Sequence, residues 1–140
     1  MRNSSSGFSL IELLIVVVII GLLSAVAFPL YTDYLQSSRQ KAAMQQMRAL
    51  ADANELLYAE QSAYAGVLEE LVEAGKIGAI RSDPWGNPYA YELTGRSFRI
   101  TSYGLDGVAG PQPPDGWVDE PYEADIIYEG GVFRQAPGVE

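Results

Sequence analysis

A long hydrophobic run lies near the N-terminus of the chain. Residues 13–32 carry no charged side chain, and an α-helix needs about 20 apolar residues to cross the core of a bilayer. Beyond Asp33 the apolar residues recur at the spacing of an amphipathic helix: Leu35, Ala42, Ala43, Met47, Leu50, Ala51, Asn54, Leu57 and Tyr58. The pattern predicts one continuous helix from about Ser9 to about Ala59, whose second half packs against a head domain.

Downstream of the long helix, the pattern predicts a short helix and then a rigid loop. Residues 67–74 place their apolar side chains on one face, and Gly75 is a suitable C-cap. Residues 83–89 are dense in turn formers, with two prolines that fix φ. We expect a rigid loop there, pinned by Trp85.

After this loop the pattern predicts antiparallel strands. Apolar and polar residues alternate over 89–93 and again over 98–102, with turn residues at 94–97 between them. A third strand is expected near residues 125–128 and a short fourth strand at 132–134. The sequence therefore predicts an α+β fold, in which a long N-terminal α-helix packs on a small antiparallel sheet of three to four strands.

Two residues stand out within the long helix. Glu12 is a single carboxylate near the start of the apolar run, and an unpaired charge inside a membrane costs about 2.5–3.5 kcal/mol. We therefore expect Glu12 to have a partner. Pro29 lies near the end of the run and removes the hydrogen bond to the carbonyl of Ala25, so it predicts a kink or a weak point.

Composition narrows the classes of function. The net charge of −9 disfavours the basic patch that nucleic-acid binding requires. The chain contains neither cysteine nor histidine. It therefore has no disulfide and lacks the thiol nucleophile and the commonest general base. We therefore do not expect enzymatic activity.

The residues around the start of the helix resemble a known processing site. Gly7-Phe8-Ser9-Leu10-Ile11-Glu12 is similar to the GFxLxE-type site of type IV pilins and type II secretion pseudopilins. This resemblance implies cleavage after Gly7 by a prepilin peptidase and N-methylation of Phe8. It also implies that Glu12 faces the new N-terminal amine of a neighbouring subunit. The expected organisation is a leader at residues 1–7, a transmembrane or filament-core half of the helix at 8–32, and a periplasmic pilin-like head at 33–140.

Three later segments extend the resemblance over most of the chain. Asp83-Pro-Trp-Gly-Asn-Pro-Tyr89, Ser102-Tyr-Gly-Leu-Asp-Gly107 and Ala124-Asp-Ile126 resemble the major pseudopilin family of type II secretion. Two departures are a longer loop containing residues 111–114 and an extension of the chain past Ile126. The resemblance implies a structural subunit of a helical filament. The alternatives are a type IV pilin of a surface fibre and a monomeric, membrane-anchored binding domain.

The resemblance also implies a location and a set of partners. The helix would sit once across the inner membrane with the head in the periplasm, and then enter a periplasmic filament or a cell-surface fibre. The implied partners are further copies of the chain, minor pseudopilins, the prepilin peptidase, the inner-membrane assembly platform and, before assembly, membrane lipid.

An acidic segment without periodicity is the candidate for a metal site. Residues 104–124 are flanked or occupied by carboxylates: Asp106, Asp115, Asp119, Glu120, Glu123 and Asp125. Ca²⁺ accepts mixed sets of carboxylate and carbonyl oxygens. On chemistry alone a solvated acidic loop is the commoner case, and an alternative is a loop anchored by Trp117 and Tyr122 without metal.

The resemblance favours calcium, because the family binds this ion with aspartates that match Asp106 and Asp125. Glu123 and Asp119 are further candidate ligands. A glycosidase using paired carboxylates is disfavoured, because a long loop does not provide the rigid cleft that such chemistry needs.

Overall fold

The computed structural model describes residues 8–110 and 124–136. The chain divides into two compact units, Met1–Leu35 and Gln36–Glu140. The elements in chain order are α1 (Leu10–Gln61), α2 (Glu69–Glu73), β1 (Ala90–Thr94), β2 (Ser97–Ser102), β3 (Ile126–Glu129) and β4 (Val132–Gln135).

The helix α1 confirms the predicted long N-terminal helix and continues through Pro29. Its buried residues follow helical spacing: Gln40, Ala43, Met47, Leu50, Ala51, Ala53, Asn54 and Leu57. Leu35 and Tyr58, which the sequence pattern placed on the same stripe, are exposed. The ring of Tyr58 instead stacks on Tyr64, with a centroid separation of 4.5 Å.

The second helix is shorter than the pattern predicted. The amides of Glu70 and Leu71 donate to carbonyls three residues earlier, so the chain enters α2 through a tight turn. The C-cap prediction is confirmed, because Gly75 adopts a φ of +67°. Its amide donates to the carbonyl of Val72, and the amide of Lys76 donates to that of Leu71. These two bonds form a Schellman motif.

The four strands form one antiparallel sheet in the order β1-β2-β3-β4. Thr94 pairs with Ser97 and Glu129 pairs with Val132, so each of these two hairpins closes with a two-residue turn. Between β2 and β3 lies the longest connection of the head, entered after Ser102. The predicted sheet and its hairpins are therefore confirmed.

The buried face of α1 within the head packs against the sheet. The core contains Met47, Leu50 and Leu57 of the helix together with Phe98, Ile100, Ile126 and Phe133 of the strands. A row of aromatic rings continues across the sheet, with Phe98 contacting Tyr64, Tyr91 and Tyr128. This core confirms the pilin-like α+β fold. It also holds in place β2 and β3, the two strands that flank the acidic segment.

One buried amide joins the end of α1 to the sheet. The Asn54 Oδ1 atom accepts from the amide of Ala65 at 2.9 Å, and its Nδ2 donates to the Tyr91 hydroxyl at 3.0 Å. The Tyr91 hydroxyl in turn donates to the carbonyl of Ala65 at 2.6 Å. Asn54 is fully buried, so this closed set of bonds satisfies a polar group that would otherwise destabilise the core.

Candidate functional site

The start of α1 carries a capping box. The Glu12 Oε2 atom accepts from the Ser9 amide at 2.8 Å, and the Ser9 hydroxyl oxygen accepts from the Ile11 amide at 3.4 Å. A serine at the N-cap and a glutamate three residues later satisfy amides that the first helical turn leaves unpaired. The Ser-x-x-Glu pattern is visible in the sequence, but sequence reasoning assigned Glu12 only an intermolecular partner. The Phe8 side chain is exposed, and Gly7 lies outside the described residues.

The apolar half of α1 is exposed within the residues that the structure describes. Its large side chains between Leu10 and Leu30 are all exposed, by 44% or more. Within the described ranges, α1 is the one helix that is long and apolar enough to cross a membrane, judged by length and composition. Such a surface fits contact with lipid or with further protein chains.

Asp125 is a buried carboxylate that is only partly hydrogen-bonded within the described residues. It is fully buried, and its Oδ2 atom accepts from the amide of Gly110 at 3.0 Å. Its Oδ1 atom is buried and lacks a hydrogen-bond partner within the described part of the chain. Burial raises the pKa of Asp125, the hydrogen bond from Gly110 lowers it, and the negative charge of Asp106 raises it.

Asp106 lies in an exposed turn, close enough to Asp125 for its negative charge to raise the pKa of Asp125. Its Oδ1 atom accepts from the Val108 amide at 3.1 Å. Among residues 8–110 and 124–136, no group of three or more acidic side chains has a metal-binding arrangement. The predicted ligands Asp119 and Glu123 lie outside the described residues. A buried carboxylate with a bare oxygen and a second carboxylate nearby nevertheless fit part of a divalent-cation site.

Sequence reasoning missed a second buried carboxylate, that of Asp83. Its Oδ1 atom accepts from the amides of Trp85 at 3.1 Å and Asn87 at 2.7 Å, and its Oδ2 atom accepts from the Ser102 hydroxyl at 2.7 Å. The Trp85 indole donates to Gln36 Oε1 at 2.8 Å, so the expected role of Trp85 in pinning this loop is confirmed. An aspartate at the start of a turn-rich segment was the available signal, because its side chain often accepts from amides further along.

The comparisons with known proteins decide the family. Residues 2–28 match the family described as a prokaryotic N-terminal methylation motif, and residues 31–121 match that described as type II secretion system protein G. The chain belongs to the type II secretion system protein G family. The resemblance predicted from its motifs is therefore confirmed, and the family is one of structural pseudopilins rather than known enzymes.

Individual relatives support the same family. The type II secretion system core protein G of Pseudomonas aeruginosa is 32% identical, with 81% of this chain and 93% of the relative aligned. The core protein G of Vibrio cholerae is 31% identical over 77% of this chain and 86% of its own length. The type IV major pilin protein PilA of Myxococcus xanthus is 34% identical over 63% of this chain and 36% of that pilin. The predicted pseudopilin is thus confirmed over the alternative of a type IV pilin.

Proposed function

We propose that this protein G family member is the repeating subunit of a helical filament of the type II secretion system. The apolar surface of α1, which no other part of the described chain covers, carries this proposal. Lipid of the inner membrane would surround it before assembly, with the head in the periplasm. Equivalent helices of further subunits would surround it afterwards. A head-to-tail contact that does not close on itself generates such a polymer.

Processing of the N-terminus would precede the transfer of the helix from lipid into the filament. The N-terminal methylation motif supports cleavage after Gly7 by a prepilin peptidase and methylation of the Phe8 amine. Minor pseudopilins and an inner-membrane assembly platform would act with the mature subunit. Pro29 would allow the helix to adjust when subunits pack, because proline removes a hydrogen bond from the helical ladder.

Glu12 would favour transfer of the helix from the membrane into the filament and would also set the axial position of each subunit against its neighbour. A carboxylate in the apolar layer costs about 2.5–3.5 kcal/mol, and pairing with the Phe8 amine of a neighbouring subunit would relieve that cost. The same carboxylate accepts from the Ser9 amide of its own chain. A test must therefore separate the charge of Glu12 from its function as a helix cap.

We expect Glu12→Leu to be processed and inserted normally but to lose about tenfold or more of its assembled fraction, because the charge pair is worth more than 1.4 kcal/mol. The measurement is sedimentation or cross-linking of filaments after co-expression with the secretion machinery. Glu12→Gln is the matched control, because glutamine preserves the capping box without the charge. Charge pairing predicts that Glu12→Gln also assembles poorly. Normal assembly of Glu12→Gln would show that capping alone matters and would refute the pairing.

We also propose that the head binds Ca²⁺, with Asp125 and Asp106 as carboxylate ligands and Asp119 and Glu123 as further candidates. The bare, buried Oδ1 atom of Asp125 supports this assignment. A bound cation would supply the positive charge that this desolvated carboxylate lacks. The ends of the long β2–β3 connection would then be held together by the ion.

We expect chelation of the full-length chain in detergent micelles to lower its melting temperature, and calcium to restore it. A ligand present at 100 times its Kd stabilises the native state by about 2.7 kcal/mol. Asp125→Asn should abolish the response to calcium, while Glu73→Gln, on the exposed side of α2, should preserve it. An unchanged melting temperature upon chelation and calcium addition would refute the site.

A further inference from the structure

The loop that follows Asp83 holds Asn87 in a fixed position. The backbone amide of Asn87 donates to Asp83 Oδ1 at 2.7 Å, and the backbone carbonyl of Asn87 accepts from the backbone amide of Asp83 at 2.8 Å. Asp83 is buried, and its other oxygen accepts from Ser102 at the end of β2. The backbone of Asn87 is thus anchored to the sheet by bonds that do not use its own side chain.

The side chain of Asn87 is therefore available to reach the acidic segment. Its Nδ2 atom donates to the carbonyl of Gly104 at 2.9 Å. Three residues further along, Gly107 has a φ of +67°, and a Cβ atom there would lie 2.8 Å from Asn87 Oδ1. The side-chain amide of Asn87 therefore contacts both ends of the turn from Gly104 to Gly107. Asp106 lies in this turn.

We propose that Asn87 is a positioning residue for the divalent-cation site, since its amide fixes the Gly104–Gly107 turn and thereby places Asp106 relative to the buried Asp125. This inference rests on the proposed calcium site. Asn87 does not contact the ion in this proposal. It acts through the backbone of the turn, as supporting groups around metal ligands commonly do.

Preorganisation is the physical reason for an effect on affinity. The hydrogen bond that Asp106 makes with the Val108 amide is local to the exposed turn, so it does not tie the turn to the rest of the head. Asn87 supplies that tie through Gly104. Without it, the turn would have to be ordered when the ion binds, and the cost of ordering would reduce the affinity.

The experiment is a calorimetric titration of calcium chloride into the chelator-treated, full-length chain in detergent micelles. Asn87→Ala should weaken calcium binding by about 10-fold to 100-fold, the usual effect of removing a group that supports a metal ligand. Tyr91→Phe is the matched control, because it removes half-buried hydrogen bonds with Asn54 and Ala65 that lie outside this turn. It should lower the melting temperature of the calcium-free chain while leaving the calcium Kd within about twofold.

A second substitution tests the contact between Asn87 and the turn. Gly107→Ala should weaken calcium binding in the parent chain, because the new methyl group meets Asn87 Oδ1 and the backbone conformation is strained. The same substitution should cost less in the Asn87→Ala background, because the clashing amide is gone. Strictly additive changes would contradict the proposed contact.

The possible results separate this inference from the calcium site on which it rests. Calcium binding by the parent chain with an unchanged Kd in Asn87→Ala would overturn the positioning role and leave the site intact. An equal loss of affinity in Asn87→Ala and Tyr91→Phe would show that Asn87 affects calcium binding only through the general stability of the head. That result would also overturn the positioning role. Absence of binding by the parent chain would overturn the calcium site and this inference together.

Discussion

Asp83 and Asp125 are both buried aspartates of the head, yet their hydrogen-bond environments are opposite. Asp83 accepts three bonds that involve both of its oxygens. Asp125 accepts one bond from Gly110, and its other oxygen lacks a partner within the described residues. A fully bonded carboxylate stabilises the fold, whereas an incompletely bonded one is suited to a ligand. Burial alone would have assigned the two residues the same role.

At this scale we expect Asp83→Ala to lower the free energy of unfolding by about 3 kcal/mol, because it leaves buried donors without an acceptor. Asp83→Asn is the matched comparison. Its amide oxygen can still accept from the backbone, and its NH₂ group can donate to the Ser102 hydroxyl. We therefore expect Asp83→Asn to cost less than half as much in urea-induced unfolding of the full-length chain. Equal losses for the two variants would show that the negative charge, rather than the bonding pattern, is required.

At the scale of the element, the ends of the helices follow local chemistry. The capping box of Ser9 and Glu12 begins α1, and the Schellman motif around Gly75 ends α2. Both motifs need only a few adjacent residues. These two helix ends are therefore specified directly by the local sequence.

We expect Gly75→Ala to destabilise the head by about 1–2 kcal/mol, because an alanine at a φ of +67° is strained. Apart from the adjoining residues, no heavy atom of the described part of the chain lies within 4 Å of the added Cβ position, so steric contact does not contribute. Gly78→Ala is the matched control, with equally open surroundings and no such φ. Thermal unfolding should show a clear loss for Gly75→Ala and almost none for Gly78→Ala. Similar losses at both positions would contradict the assigned strain.

At the scale of the whole molecule, buried and half-buried tyrosines make the head less stable at alkaline pH. Burial raises the pKa of Tyr89, and the nearby Asp83 carboxylate raises it further. Burial also raises the pKa of Tyr91 and Tyr128. An unfolded tyrosine loses its proton near about pH 10. Above that pH the unfolded chain binds fewer protons than the folded chain, so stability falls as pH rises.

We therefore expect Tyr89→Phe to make the melting temperature fall less steeply between about pH 9 and pH 11, a range that spans the unfolded tyrosine pKa. The variant should be about 1 kcal/mol less stable at neutral pH, since it loses the hydrogen bond from Tyr89 to Gln46. The slope with pH, rather than stability at one pH, is thus the quantity to compare. Tyr34→Phe, at an exposed side chain, is the control. A parent slope retained by Tyr89→Phe would refute this contribution.

Most of the fold was predictable because its signals are periodic. The apolar run, the helical spacing after Asp33 and the alternation over 89–102 each depend on neighbouring residues, and each appears as expected. Leu35 and Tyr58 were misplaced because helical spacing defines a stripe but not where the head ends along it. The ligands expected at Asp119 and Glu123 remain predictions outside the described residues.

The sequence by itself determined the long apolar helix, the processing motif, the hairpins and the family, because these depend on residue order and on the period of each element. Only the tertiary structure decided which carboxylates are buried and what they bond. The hydrogen bonds from Ser102 to Asp83, from Asn87 to Gly104 and from Gly110 to Asp125 join residues 19, 17 and 15 positions apart. No local pattern encodes such contacts, because they form only when the sheet and the connections at its edge pack into one core.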